Sequence, residues 1–197
     1  GRLGILGELI NPAPEQTVGD ILNLLVGRSG KLIFFHSPTM YTGRSEVILR
    51  LKKELGSKMV VFRPALSIRP EFGETPFVMV TRDINRVEVI TVGNQGDLES
   101  NDIKQILVEV DKRKITPEQV PVLAIDEGQL FLNSEGEEII GVLEELMRRG
   151  FDIVFVGLDY NFKGHWFSCM GELLKWADKQ EENVYIRRVN TKCAYCD

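Results

Sequence analysis

Apolar positions along this chain fall into two rhythms. Short runs rich in Val, Ile, Leu and Phe, at residues 32–36, 58–63, 120–126, 151–158 and 184–189, read as strands buried on both faces. Elsewhere apolar residues recur every three or four positions. Val47, Ile48, Leu51 and Leu55 predict a helix over 45–55, and similar spacing predicts helices over 102–110, 134–149 and 168–177. Ser134 with Glu137 forms a capping box opening the third of these, and Gly150 ends it. Pro64 closes the second strand, two shorter β-like runs cover 77–81 and 87–91, and the polar stretch 93–101 is a loop. Before all of these, Pro12 and Pro14 interrupt any helix, while Thr17 can cap a short amphipathic one through Leu25, ended by Gly27 and Gly30. Doubly buried strands alternating with helices predict an α/β fold, a parallel sheet flanked by helices. Ligands of such open sheets bind at the carboxyl ends of the strands, so residues just after each strand are the candidates for chemistry.

Composition narrows the field. A chain of 197 residues holds one domain and a small appendage, and 43% hydrophobic with 27% charged residues supplies a core, excluding collagen-like and disordered classes. A net charge of −5 and a pI near 5.3 argue against direct nucleic-acid binding and against a polybasic membrane binder. A small anionic ligand held by a few local groups is still compatible. Three cysteines, Cys169, Cys193 and Cys196, are too few for a disulfide framework and predict a reducing compartment, the cytoplasm or an organelle interior. No apolar run approaches the roughly 20 residues that span a bilayer. The chain opens on Gly1 and closes one residue after a Cys-x-x-Cys, so both ends read as trimmed and a targeting segment stays open.

Two strand ends carry chemistry. After the first strand comes His36-Ser37-Pro38-Thr39-Met40-Tyr41-Thr42-Gly43-Arg44-Ser45, then a helix. Strand–loop–helix is the context of a phosphate-cradling loop, because amides at a helix start and the helix dipole favour an anion. The usual pattern is Gly-x4-Gly-Lys-Ser/Thr. Gly43 and Ser45 fit it, whereas Pro38 stands for the first glycine and Arg44 for the lysine. The alternative is a plain strand–helix connection with a serine near the helix start. The central strand ends in Asp126-Glu127. The first acid suits Mg²⁺ acting through water, and the second suits taking a proton from a nucleophile, the two tasks phosphoryl transfer adds to phosphate grip. Solvated or capping acids are the alternative, weakened by the phosphate-type loop about 80 residues upstream.

In order along the chain, these landmarks resemble the cellular-type (type II) thymidine kinases. Pro38 to Ser45 is similar to that family's Gly-Pro-Met-Phe-Ser-Gly-Lys-Thr around Met40 and Gly43. Arg63-Pro64-Ala65-Leu66-Ser67-Ile68-Arg69 resembles Lys-Pro-Ala-x-Asp-Thr-Arg, and Ile125-Asp126-Glu127-Gly128-Gln129-Leu130-Phe131 resembles Ile-Asp-Glu-x-Gln-Phe-Phe. The stretch 157–167 is similar to Gly-Leu-Asp-x-Asp-Phe-Arg-Gly-x-Pro-Phe, and Cys193 with Cys196 fall where the family places the first half of a structural zinc site.

The resemblance implies a P-loop (RecA-like) sheet at 31–190, an N-terminal extension at 1–30 and the start of a zinc-ribbon-like lobe at 191–197. It implies ATP-dependent phosphorylation of the 5′-hydroxyl of a deoxynucleoside, with thymidine as substrate. Thr39, Met40, Tyr41, Thr42, Gly43, Arg44 and Ser45 would hold the phosphates, Ser45 and Asp126 would serve Mg²⁺, and Glu127 would be the base. Met40, Phe131, Leu158, Phe162 and Phe167 would line the base pocket, each with ordinary core packing as its alternative. Zn²⁺ would need a second cysteine pair besides Cys193 and Cys196, because a structural site takes four ligands. The family also implies a homotetramer.

Several positions depart together: Pro38, Arg44, Ser67 and the stretch 81–84, where the family tends to carry Ser-His-Asp-Gly. An arginine is not an innocent exchange for a lysine at a phosphate. The departures leave a second reading, a catalytically degenerate relative serving as a nucleotide-binding or structural subunit, docked through Ile5, Leu6, Leu9 and Ile10 of the extension. Survival of both Asp126 and Glu127 favours the enzyme. A generic RecA-like ATPase is the third reading, opposed by the 158–167 motif and the terminal cysteine pair.

Overall fold

The computed structural model describes residues 9–10, 14–38, 44–80, 85–167 and 169–190. Strands β1 (Leu9–Ile10), β2 (Leu32–Ser37), β3 (Met59–Pro64), β4 (Val78–Val80), β5 (Arg86–Glu88), β6 (Ile90–Val92), β7 (Val122–Ile125), β8 (Asp152–Leu158) and β9 (Val184–Asn190) alternate with helices α1 (Pro14–Leu25), α2 (Arg44–Leu55), α3 (Lys104–Lys112), α4 (Gly136–Arg148) and α5 (Met170–Lys179). Six strands form one parallel sheet in the order β9-β2-β8-β7-β3-β6, and the two-residue β1 pairs parallel with the outer side of β9. β4 and β5 make a separate antiparallel hairpin.

Alternation along each strand sorts side chains into two cores, because successive residues of a strand face opposite sides. Leu32 and Phe34 pack with Ile106, Leu143 and Leu173 under α3, α4 and α5. Ile33 and Phe35 pack with Ile21, Ile48 and Leu51 under α1 and α2, where Met79 and Val87 of the hairpin join them. The parallel α/β arrangement expected from the apolar runs is the one observed. At the amino end of the sheet the Lys31 N–H donates to Asp152 Oδ1 at 2.9 Å, locking β2 onto β8 in register.

Three local expectations are corrected. Thr17 does not cap α1. The helix starts at Pro14, whose missing N–H costs nothing in a first turn, and Thr17 is buried inside it. Ser134 does not cap α4. The cap is Glu135, whose N–H donates to Glu138 at 3.1 Å, while the Ser134 hydroxyl accepts the Ile103 N–H at 2.9 Å and ties down the approach to α3. The run at 87–91 is not one strand. Val87 and Val89 face the second core, and beyond Val89 the chain leaves the hairpin to pair with β3 as β6. Thr81 and the rest of 81–84, Ser168, and the whole of 191–197 with Cys193 and Cys196, lie outside the described residues, as do Ile5 and Leu6. Among the described residues no helix is long and apolar enough to cross a membrane.

Candidate active site

At the end of β7 the Asp126 N–H donates to the Phe62 carbonyl at 2.8 Å, so the chain stays pinned to β3 for one residue beyond the strand. The backbone then turns sharply. Glu127 takes the left-handed conformation (φ 51°, ψ 41°), which an L residue with a side chain adopts at a cost of about 1 kcal/mol or more. Gly128 follows because nothing larger fits: a Cβ there would stand 2.2 Å from the Phe155 ring. The turn keeps the two carboxyls close enough for the Glu127 charge to act on Asp126. One Asp126 oxygen accepts the Glu127 N–H at 2.9 Å. The Gln129 side-chain amide donates to Glu127 Oε2, while its carbonyl accepts the Leu158 N–H at 3.1 Å. Gln129 thereby braces the Glu127 carboxylate against the end of β8.

Electrostatics separate the two acids. Asp126 is wholly buried, and burial first, then the neighbouring Glu127 charge, push its carboxyl up to about 7, against the opposing pull of Arg44, the Glu127 N–H and Arg63. Glu127 keeps more contact with solvent and faces Arg44 Nη2 at 3.9 Å. Arg44 is itself nearly buried at the first position of α2, donating to Ser37 Oγ at 2.7 Å and to the Gly157 carbonyl at 3.4 Å. Its guanidinium is thus turned inward, bridging the ends of β2, β7 and β8.

When Asp126 ionises it places a buried negative charge beside the Glu127 carboxylate, a charge that a hard cation would relieve. Asp126 oxygens with the half-buried Ser45 hydroxyl are the donor types Mg²⁺ takes, so the residues fit that ion. Among the described residues no cluster of three or more His, Cys, Asp or Glu side chains is arranged for a metal.

The other sequence candidates scatter. Thr39, Met40, Tyr41, Thr42 and Gly43 lie outside the described residues. Phe131 is fully buried in the first core, Phe167 is partly buried against that core, and Leu158 is buried at the end of β8. Phe162 is 95% exposed, at the tip of a turn closed by the Asn161 N–H donating to the His165 carbonyl at 2.8 Å and by Tyr160 lying 4.7 Å from Trp166. Ser67, where the family pattern has an acid, donates to the Pro64 carbonyl at 2.7 Å. Arg63 is buried against Glu74 at 3.1 Å and braces the hairpin through the Thr75 and Val78 carbonyls.

Sequence reasoning missed one pair. His36 Nδ1 lies 2.9 and 3.0 Å from the two oxygens of Asp159, both residues buried, and joins the end of β2 to the segment after β8. The available signal was a histidine closing an otherwise apolar strand, with an acid closing another. A family model described as thymidine kinase matches residues 30–197.

Proposed function

The chain belongs to the thymidine kinase family, whose reaction is deoxynucleoside phosphorylation, and on that premise we propose that it moves the γ-phosphate of ATP to the 5′-hydroxyl of a deoxynucleoside, thymidine first among them. The observation that carries the reading is the paired acid at the end of β7, one carboxyl buried and close to neutrality, the other braced and accessible.

Glu127 takes the 5′-hydroxyl proton as that oxygen bonds to the γ-phosphorus, and the bond from phosphorus to the β,γ-bridging oxygen breaks to release ADP. Gln129 holds the Glu127 carboxylate through Oε2, which leaves Oε1 to take the proton. Residues 39–45 grip the phosphates, and Met40, Leu158, Phe162 and Phe167 with Phe131 behind them contact or shape the base site. Asp126 with Ser45 would hold Mg²⁺, which supplies charge neutralisation to the β- and γ-phosphates when bound. For the chain as a whole we propose an extension at 1–30, a catalytic domain at 31–190 and the beginning of a zinc lobe at 191–197, assembled as a homotetramer in a reducing compartment.

The inward guanidinium of Arg44 favours a second reading. A cation already satisfied by Ser37, Gly157 and Glu127 is less free to meet a phosphate, as expected of a degenerate subunit. One assay separates the two: transfer of labelled γ-phosphate from ATP·Mg²⁺ to thymidine and deoxyuridine, for the whole protein beside Glu127→Gln. The kinase reading expects transfer that falls about 10²-fold or more in the variant. Folded protein with no transfer above the variant's level overturns it.

A further inference from the structure

Two side-chain nitrogens are buried without a hydrogen-bond partner among the described residues, Nε2 of His36 and Nε of Arg188. They belong to neighbours. His36 of β2 pairs in register with Arg188 of β9, and residues paired across adjacent strands project from the same face of the sheet. Both stand near the carboxyl ends of their strands, the edge at which open α/β sheets take ligands. A buried polar atom left unpaired in a folded protein calls for a specific partner.

The chemistry of each atom narrows what that partner is. Both oxygens of Asp159 face His36 Nδ1, so Nδ1 carries a proton and Nε2 is the ring atom left for a ligand. The guanidinium Nε–H can only donate. A histidine backed by a carboxylate is also how many metal ligands are held, but the Arg188 charge beside it repels a cation. We propose that His36 and Arg188 form a binding site for a small oxyanion, phosphate or carboxylate. Such an ion accepts from Arg188 Nε and from Nε2 of the imidazolium; with Asp159 already countering the imidazolium, its charge offsets that of Arg188.

This site is not the phosphate loop. The His36 ring packs edge-on to Phe34 at 5.9 Å, on the α5 side of the sheet. Arg44 opens α2 and meets Ser37, which alternates to the other side. The segment above His36 is fixed at both ends of Asp159, whose N–H donates to the Ser37 carbonyl at 2.9 Å and whose carbonyl accepts the Phe167 N–H at 2.7 Å. None of these atoms depends on what the chain catalyses, so the site stands apart from the kinase reading.

The chain has two histidines, which makes the test direct. The side-chain nitrogens of the whole protein are followed by ¹⁵N NMR near pH 6.5 while inorganic phosphate, and separately acetate, is added; His36→Asn identifies the His36 signals. The expected result is a saturable move of His36 Nε2 to its protonated form, with His165 unmoved. Affinity should fall about tenfold or more in Arg188→Leu and in the milder Arg188→Lys, and hold in Arg44→Leu. A response to phosphate alone assigns the site to phosphate groups, and a response to both assigns it to oxyanions generally. Overturning results are an Nε2 that ignores both anions, a response lost in Arg44→Leu but kept in the Arg188 variants, or a bare Nε2 accepting directly from Arg188. Phosphoryl transfer is not read at any point, so this test and that of the kinase reading fail separately.

Discussion

Replacing Asp126 by asparagine exchanges a buried carboxyl for a neutral group of the same size that can still accept the Glu127 N–H. In the folded chain the carboxyl holds its proton up to about pH 7, against an ordinary value of 3.8. The folded state therefore binds more protons than the unfolded state between those limits, and stability falls as the pH rises through that window. At about 1.4 kcal/mol per pH unit over about three units, the ionised carboxyl costs at most on the order of 4 kcal/mol at pH 8, and relaxation of the site reduces that to about 2. Asp126→Asn should thus be more stable than the parent by about 2 kcal/mol at pH 8, by less at pH 6, and by nothing near pH 4. Urea unfolding at the three pH values, without divalent cations, measures it. Added magnesium should then stabilise the parent and leave the variant unmoved. A gain of equal size at every pH, or a loss at pH 8, would refute the assignment of Asp126 as a charge confined by burial.

Other expectations concern single side chains. Arg44→Lys loses the fork whose Nη1 meets Ser37 and Gly157 and whose Nη2 faces Glu127, so thermal or urea unfolding should register a loss of about 1–3 kcal/mol; γ-phosphate transfer should rise, and unchanged transfer would count against a phosphate role for position 44. Phe131→Ala should cost about 3–5 kcal/mol by urea unfolding, since the ring is fully buried. Phe162→Ala should stay within about 0.5 kcal/mol of the parent while raising the KM for thymidine, and a normal KM would remove Phe162 from the nucleoside site.

Strands were the most legible elements because parallel strands buried on both faces write continuous apolar runs; β7 and β8 lie within those runs and β2 exceeds its run by one residue. Boundaries set by single hydrogen bonds were not. Ser134 carries the right chemistry for a cap, but the choice between Ser134 and Glu135 depends on whether Ile103 claims the hydroxyl, a contact between distant segments. The acid pair was legible as residues following a strand. Its division into a neutral-leaning and a charged partner was not, since burial of Asp126 depends on how β3, β7 and α2 close around it. His36 and Arg188 were illegible together: only the strand order places β9 beside β2 and sets the two in register.

That strand order has a consequence for how the protein comes into being. Leu9 pairs with Val189, and β2 finds both its partners, β8 and β9, only beyond residue 151. A chain growing from its amino end at about 5–20 residues per second makes its first strands long before their neighbours exist. Such distant pairings also close slowly, because a large loop must be ordered before any contact repays it. The apolar β2 therefore waits, unpaired, until β8 has left the ribosome, and stays open on one side until β9 follows. A nascent chain halted before residue 184 holds β3 with β7 and β2 with β8 but leaves β2 short of its β9 partner, which makes β9 the strand that closes that side of the sheet.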